Sequence, residues 1–240
     1  MKTVLVTGGS RGIGAACVRK FTEEGFEAAF FYKESDEEAE KVSEETGALA
    51  IKCDVSDSEA VRLGVTEACS HFGTASFDAV ICSAGISVEG LIQDLTDDEW
   101  DRLSGINLGG MINTVRAAAP GMISEKKGSF VLMSSMWGRS GASCEAAYSA
   151  TKAAVIGLGQ ALAKELGPSG VRVNMVAPGV IDTDMNKGRS EEDWEEIFAD
   201  TPLGRMGKPS EVAELVYFLA SEKAAFITGQ TVGIDGGFVV

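Results

Sequence analysis

An α/β fold, with one doubly wound parallel sheet of seven strands and helices on both faces, is predicted by three features of the 240-residue sequence. Short apolar runs alternate with segments of helical periodicity along the whole chain. Most runs are almost continuously apolar, as parallel strands buried on both faces are. A glycine-rich loop joins the first run to the first helix, as in a β-α-β unit. No linker or repeat interrupts the pattern, so we expect one domain over 1–240.

The elements follow one another in a regular order. The apolar runs predict strands at 3–6, 28–32, 49–53, 79–82, 130–133, 171–176 and 231–234. Between them, helical periodicity predicts helices at 12–24, 36–46, 57–72, 97–124, 146–166, 191–199 and 209–220. Ser56 and Glu59 have the spacing of a capping box at the start of the third helix. Gly167-Pro168 ends the helix over 146–166.

The stretch 184–208 is polar and acidic and has no strand partner, so we expect it to be a mobile cover over a substrate site.

Composition excludes several classes of function. The chain has 21 lysines and arginines against 36 aspartates and glutamates, a formal net charge of −15. Nucleic acids and anionic membrane surfaces require basic patches, so neither is an expected partner. No apolar run is long enough to span a bilayer, and the five cysteines include no CxxC pair. We therefore expect a reduced, cytoplasmic protein. With His71 as its single histidine, the sequence predicts no metal site.

The glycine loop predicts a dinucleotide site. Residues 7–14, Thr-Gly-Gly-Ser-Arg-Gly-Ile-Gly, follow the first strand directly and open the first helix. Glycines let backbone N–H groups approach a pyrophosphate, and the N-terminus of a helix favours an anion. The spacing of Gly8, Gly12 and Gly14 differs from that of a P-loop, so a P-loop NTPase is disfavoured.

A tyrosine and a lysine supply a candidate acid/base pair. Tyr148 and Lys152 lie on one face of the helix over 146–166, because residues four apart are neighbours there. A nearby ammonium favours the phenolate, so we expect Lys152 to lower the pKa of Tyr148. Ser135 lies thirteen residues upstream, at the end of the fifth strand.

These motifs together resemble the classical short-chain dehydrogenase/reductase family. The resemblance rests on 7–14, Asn107, Ser135, Tyr148 and Lys152, and it extends through 172–179, 202–207, 227–230 and 235–237 to cover nearly the whole chain. Within the family, the pattern is closest to the bacterial 3-oxoacyl-(acyl-carrier-protein) reductases of fatty acid biosynthesis. The resemblance implies a Rossmann fold, a homotetramer and interconversion of a ketone and a secondary alcohol by hydride transfer.

The resemblance also implies four catalytic roles. Tyr148 gives a proton to the substrate carbonyl oxygen, and Lys152 lowers the pKa of that tyrosine and hydrogen-bonds the nicotinamide ribose. Ser135 orients the carbonyl, and Asn107 holds a water that relays protons to Lys152. Ser134 is a rival for Ser135, but the spacing to Tyr148 favours Ser135.

The second strand favours NADP(H) over NAD(H) as the cofactor. An acidic residue at its end would bind the ribose 2′-hydroxyl of NAD, whereas a basic residue accommodates the 2′-phosphate of NADP. Here Lys33 follows Tyr32, with Arg11 in the glycine loop as a second cation, although Glu34 keeps NAD(H) open. The expected cofactor-binding residues are Gly8, Ser10, Arg11, Gly12, Ile13, Gly14, Lys33, Asp54, Val55, Ala84, Gly85, Asn107, Tyr148, Lys152, Pro178, Gly179, Ile181 and Thr183.

The substrate class stays open between two alternatives. The resemblance implies a carrier-bound 3-oxoacyl thioester, and Lys126-Lys127 keep one basic docking position, while Ser169 stands where an arginine is expected at the other. The acidic cover and the net charge would repel an acidic carrier. That repulsion favours a small free ketone, a sugar or a steroid alcohol instead. A cofactor-sensing regulator without catalysis is disfavoured, because all four catalytic residues are retained.

Overall fold

Seven parallel strands form one sheet in the order β3-β2-β1-β4-β5-β6-β7 within the residues that the structure describes. The structure is a computed structural model that describes residues 1–186, 188 and 190–239. The strands are β1 (Lys2–Thr7), β2 (Phe26–Tyr32), β3 (Leu49–Lys52), β4 (Ala79–Cys82), β5 (Gly128–Met133), β6 (Val171–Pro178) and β7 (Thr231–Ile234). Because β1 pairs with both β2 and β4, the direction of the crossovers reverses between β1 and β4. The predicted doubly wound α/β sheet is confirmed.

Helices cover both faces of the sheet. They are α1 (Gly12–Glu23), α2 (Asp36–Thr46), α3 (Ser58–Phe72), α4 (Asp97–Ser104), α5 (Gly110–Glu125), α6 (Trp137–Ser140), α7 (Ala146–Leu166), α8 (Glu191–Asp200) and α9 (Pro209–Ala220). Successive side chains of a strand point to opposite faces, so the apolar runs supply two cores. Phe31 packs in the core with α3, α5 and α7, and its neighbour Phe30 packs in the core with α1, α2 and α9.

The helix predicted over 97–124 is interrupted. A π-helical segment, Gly105–Gly109, joins α4 to α5, and the N–H of Gly110 donates to the carbonyl of Gly105, five residues back. Such a segment inserts one extra residue into the helical turn. The prediction of one uninterrupted α-helix was therefore wrong at the position of Asn107.

The start of α3 also differs from the prediction. The N-cap is Asp57, whose carboxylate accepts hydrogen bonds from the N–H groups of Glu59 and Ala60 at 2.9 and 3.1 Å. Ser56 is not the cap, because its N–H and its hydroxyl both donate to the carboxylate of Asp54. The helix boundary was right to within one residue, but the capping box was wrong.

The end of α7 and the acidic segment after β6 complete the frame of the site. Helix α7 ends at Leu166, and Pro168 lies in the short 3₁₀ turn that follows, as predicted. In the predicted cover, α8 begins with a capping box between Ser190 and Asp193, while Lys187 and Arg189 lie outside the described residues. Within the described part of the chain, no helix combines the length and the apolar character needed to cross a bilayer.

Candidate active site

A cleft of about 510 Å³ opens at the carboxyl ends of the strands. It lies at the ends of the neighbouring strands β1 and β4, between which the direction of the crossovers reverses, and doubly wound sheets bind nucleotides at this position. All the predicted cofactor residues line it except Asn107, and so does Ser135. Chain topology thus brings together residues that are far apart in sequence.

At Gly8 and Gly14 the glycine loop is packed too tightly for a side chain. Gly8 has φ +70°, and a Cβ there would lie 2.8 Å from the Cα of Ala84. A Cβ at Gly14 would collide with the carbonyl oxygen of Gly8. The hydroxyl of Thr7 accepts hydrogen bonds from the N–H groups of Ser83 and Ala84 at 3.1 and 3.2 Å, which holds the loop after β4 against the glycine loop.

The first turn of α1 faces this loop without a side-chain cap. Arg11 occupies the N-cap position, and its side chain makes no hydrogen bond to the first-turn N–H groups. Uncapped N–H groups at a helix N-terminus, next to glycines that allow close approach, form a suitable cradle for a pyrophosphate. The residues present therefore fit a dinucleotide cofactor.

The two cations near the end of β2 differ in their surroundings. The ammonium of Lys33 lies 2.9 Å from the carboxylate of Asp54. Burial raises the pKa of Asp54, but hydrogen bonds from Lys33 and Ser56 outweigh that effect, so its pKa is lowered overall. Arg11 has no ion pair or side-chain hydrogen bond with any residue that the structure describes. Lys33 was predicted as a phosphate ligand, but here it is already paired.

Tyr148 and Lys152 are both buried in the wall of the cleft. Burial raises the pKa of Tyr148 to about 12; a hydrogen bond with Ser135 lowers it, and the charge of Glu145 raises it further. Burial lowers the pKa of Lys152 to about 8. The ammonium of Lys152 donates to the carbonyl of Met133 at 3.0 Å and lies 5.6 Å from the centre of the Tyr148 ring. The pKa of Tyr148 is therefore higher than usual, contrary to the prediction.

The neighbouring serines have different partners. The hydroxyl of Ser134 donates to the carbonyl of Lys152 at 2.8 Å. The hydroxyl of Ser135 accepts from the N–H of Trp137 at 3.2 Å and hydrogen-bonds Tyr148. Ser135 thus has its hydroxyl beside the candidate acid, whereas Ser134 supports the backbone of α7.

Asn107 lies behind the cleft wall and is fully buried. Its side-chain oxygen accepts from the N–H of Ile86 at 2.9 Å, and its amide donates to the carbonyl of Ile86 at 2.9 Å and to the hydroxyl of Thr151 at 3.2 Å. The amide thus ties the segment after β4 to α7. Its hydrogen-bond partners among the described residues are protein groups, so Asn107 holds the segment after β4 and helix α7 together.

Comparison with known proteins places the chain in a family. A family model described as enoyl-(acyl carrier protein) reductase matches residues 8–239. A Staphylococcus aureus protein named 3-oxoacyl-(acyl-carrier-protein) reductase is 41% identical over 98% of this chain and 97% of its own length. One of the same name from Chlamydia muridarum is 37% identical over 98% and 96%.

The solved structures agree in fold. The Brucella melitensis 3-oxoacyl-(acyl-carrier protein) reductase has a TM-score of 0.92 and 36% identity, covering 100% of this chain and 92% of that one. A mutant Serratia marcescens short-chain dehydrogenase/reductase has a TM-score of 0.93 and 36% identity, with coverage of 100% and 98%. The chain belongs to the short-chain dehydrogenase/reductase family. It is therefore an oxidoreductase of a family that uses a nicotinamide cofactor.

In this short-chain dehydrogenase/reductase, Cys82 is the last residue of β4 and does not line the cleft. Cys82 belongs to the core beneath the sheet, and burial raises the pKa of its thiol to about 12. The cleft wall at this point is formed by Ser83, Ala84 and Gly85 instead. No three His, Cys, Asp or Glu side chains among the described residues are grouped as metal ligands would be.

Sequence reasoning assigned no role of their own to three residues at or beside this site, namely Thr7, Ser87 and Glu145. Thr7 fixes the loop after β4, and its only sequence signal is its place directly before the glycines. Ser87 donates a hydrogen bond to the carboxylate of Glu145 at 2.7 Å. These two residues are 58 positions apart, so no local pattern links them.

Proposed function

We propose that the protein is an NADP(H)-dependent reductase that converts the 3-oxo group of an acyl thioester into a secondary alcohol. The observation that carries the proposal is the convergence of Ser135, Tyr148 and Lys152 on one wall of the cleft that the glycine loop lines. Relatives named as 3-oxoacyl-(acyl-carrier-protein) reductases, 36–41% identical over nearly the full length, support the thioester over a free ketone.

The proposed chemistry follows from the protonation state of the site. When bound, NADPH supplies the hydride that reduces the carbonyl carbon. Ser135 donates a hydrogen bond to the carbonyl oxygen, and Tyr148 transfers its phenolic proton to that oxygen, which becomes the product hydroxyl. A tyrosine with a pKa of about 12 is protonated at neutral pH, as an acid in the reducing direction must be. Lys152 hydrogen-bonds the nicotinamide ribose of the bound cofactor, and Asn107 holds the surrounding wall.

The 2′-phosphate of NADP(H) has a candidate ligand in Arg11. Arg11 lines the cleft and has no ion-pair partner among the described residues, whereas Lys33 must share its charge with Asp54. We expect Arg11→Ala to raise KM for NADPH about tenfold or more, since charge-assisted hydrogen bonds contribute about 1.5–3 kcal/mol, with little change for NADH. Lys33→Ala is the matched variant and should have the smaller effect. Preference of the wild type for NADH contradicts this assignment.

A substrate comparison tests the reaction. The assay follows the oxidation of NADPH with three kinds of substrate. They are an acetoacetyl group carried by acyl carrier protein, the same group carried by N-acetylcysteamine, and free ketones. A far higher kcat/KM for the carrier-bound group supports the proposal. The acidic side chains on α8, namely Glu191, Glu192, Asp193, Glu195 and Glu196, favour the second candidate, reduction of a small uncharged ketone. A free ketone preferred over both thioesters establishes that second candidate.

The proposal also covers the domain boundaries, the cellular location and the oligomeric state of the protein. We propose one domain over 1–240, with 184–208 as the substrate cover, in a cytoplasmic homotetramer. Two exposed aromatic side chains near the end of the chain, Phe218 and Phe226, support association of copies. Light scattering of the purified protein measures the mass. A monomeric mass at micromolar concentration contradicts the tetramer.

A further inference from the structure

A carboxylate lies next to the candidate acid, and the proposed chemistry does not use it. Glu145 directly precedes α7 and is half-buried, three residues before Tyr148. Its carboxylate accepts a hydrogen bond from Ser87 at 2.7 Å. Ser87 lines the cleft, on the segment that follows β4. This hydrogen bond ties Glu145, which directly precedes the helix that carries Tyr148, to a residue of the cleft wall.

The backbone strengthens this connection. The N–H of Gly90 donates to the carbonyl of Cys144 at 2.7 Å, next to the Ser87–Glu145 bond. The carbonyl of Glu145 itself accepts from the N–H of Ser149 in the first turn of α7. Both segments that carry the pair are therefore fixed relative to Tyr148.

The charge of Glu145 is not neutralised by any residue that the structure describes. Ser87 is the partner of its carboxylate there, and no lysine or arginine of the described ranges forms an ion pair with it. Arg102 lines the cleft on α4 but is not within ion-pair distance of Glu145. Burial is the main cause of the raised pKa of Tyr148, and the charge of Glu145 raises that pKa further.

We propose that Glu145, held by Ser87, is a specificity-determining residue that excludes substrates with a carboxylate beside the reacting ketone. The inference rests on the proposed reduction of a 3-oxo group. In a 3-oxo acid the carboxylate is separated from the ketone by one methylene, so binding the ketone at Tyr148 brings two negative charges together. In a thioester or ester the same position is uncharged. Glu145 thus restricts the enzyme to activated, neutral 3-oxoacyl groups and rejects the free acid.

Like charges that are brought together in a partly buried site repel more strongly than in water, because the effective dielectric constant there is lower. We expect this repulsion to change the relative kcat/KM of charged and neutral substrates by about tenfold or more, equivalent to about 1.4 kcal/mol per factor of ten.

The experiment compares acetoacetate with ethyl acetoacetate and with S-acetoacetyl-N-acetylcysteamine. The measured quantity is the ratio of kcat/KM for the acid to kcat/KM for each neutral substrate, so any general effect on Tyr148 cancels. Glu145→Gln removes the charge and retains an oxygen that accepts from Ser87, and we expect it to raise the ratio about tenfold. Glu165→Gln, at the far end of α7, changes the net charge equally and should leave the ratio unchanged.

The outcomes separate this inference from the proposed function. An unchanged ratio in Glu145→Gln, or an equal rise in Glu165→Gln, overturns the role of Glu145. Glu145→Asp retains the charge and should therefore keep most of the wild-type discrimination between the acid and the neutral substrates. Loss of that discrimination in Glu145→Asp also counts against the inference. If wild type reduces the ester but not the thioester, the proposed thioester function fails, while the ratio with the ester still decides the role of Glu145.

Discussion

Lys152 gives the sharpest test of how the site is built. Its ammonium is buried in the cleft wall, and among the residues that the structure describes it donates a hydrogen bond to the carbonyl of Met133 at 3.0 Å. An opposite charge that would compensate the burial is absent from the described surroundings. We therefore predict that Lys152→Met abolishes turnover and at the same time stabilises the fold at neutral pH.

The size of the effect follows from the pKa. Burial lowers the pKa of Lys152 from 10.5 to about 8, which corresponds to about 3 kcal/mol of destabilisation while the group is charged in both states. Methionine fills similar space without charge but loses the hydrogen bond from a charged donor to the Met133 carbonyl, worth about 1.5–3 kcal/mol. The net gain is then at most about 1.5 kcal/mol, which for a chain of this length raises Tm by up to about 3–6 °C.

The pH dependence of the stability difference between Lys152→Met and wild type tests whether the buried charge of Lys152 causes it. Below pH 8 the lysine is charged in both the folded and the unfolded protein, so the penalty is fully present. Between pH 8 and 10.5 the folded protein loses the proton while the unfolded chain retains it, so the stability of wild type rises with pH. The advantage of Lys152→Met should therefore shrink over that range.

Urea unfolding of both proteins at equal concentration, from pH 7 to pH 10, measures the difference. Lys164→Met, at an exposed position of the same helix α7, is the control and should show little effect at any pH. The prediction is refuted if Lys152→Met is less stable than wild type at pH 7. It is also refuted if the difference in free energy of unfolding between the two proteins does not vary with pH.

Three further predictions concern the same wall. Asn107→Ala loses three hydrogen bonds and should lower the free energy of unfolding by about 3 kcal/mol, measured by urea titration. Asn113→Ala on α5 loses the two hydrogen bonds to the carbonyls of Val55 and Ser56 and should lower it by about 2 kcal/mol or less. Ser135→Ala should reduce kcat about 100-fold through loss of a hydrogen-bond donor to the substrate carbonyl oxygen. Ser134→Ala should instead mainly lower Tm. Equal kcat values for the two variants contradict the assignment of Ser135 as that donor. Tyr148→Phe should reduce kcat by about 10²-fold or more with unchanged NADPH affinity by fluorescence; surviving turnover excludes Tyr148 as the acid.

The fold was predictable because its signals are local. The runs that form the strands are apolar on both faces, and period-two alternation sends Phe30 and Phe31 into opposite cores. Strand order follows from the glycine loop after β1 and from right-handed crossovers. The prediction of one continuous helix over 97–124 failed, because one extra residue changes the phase of the helix partway along it. At Gly105–Gly109 the apolar pattern continues, and the extra residue of the π segment becomes visible only with the backbone in place.

The site was predictable as a set of positions but not as a set of interactions. The expected cofactor residues line the cleft except Asn107, because strand ends converge there. The partners of the charged groups could not be read from spacing. Lys33 meets Asp54 across two strands, and Glu145 meets Ser87 across two loops. Each pair depends on how separate loops fold over the same edge of the sheet.

The Tyr148–Lys152 motif shows why spacing alone predicts the wrong electrostatics. Four residues of separation on α7 do place the side chains on one face, but the ammonium donates to Met133 and not to the phenol. Burial then dominates, raising the pKa of Tyr148 and lowering that of Lys152. Desolvation favours the neutral form of both groups. A protonated phenol beside Ser135 is suited to give a proton to a carbonyl oxygen, so the burial that destabilises the charged lysine also keeps the acid ready for reduction.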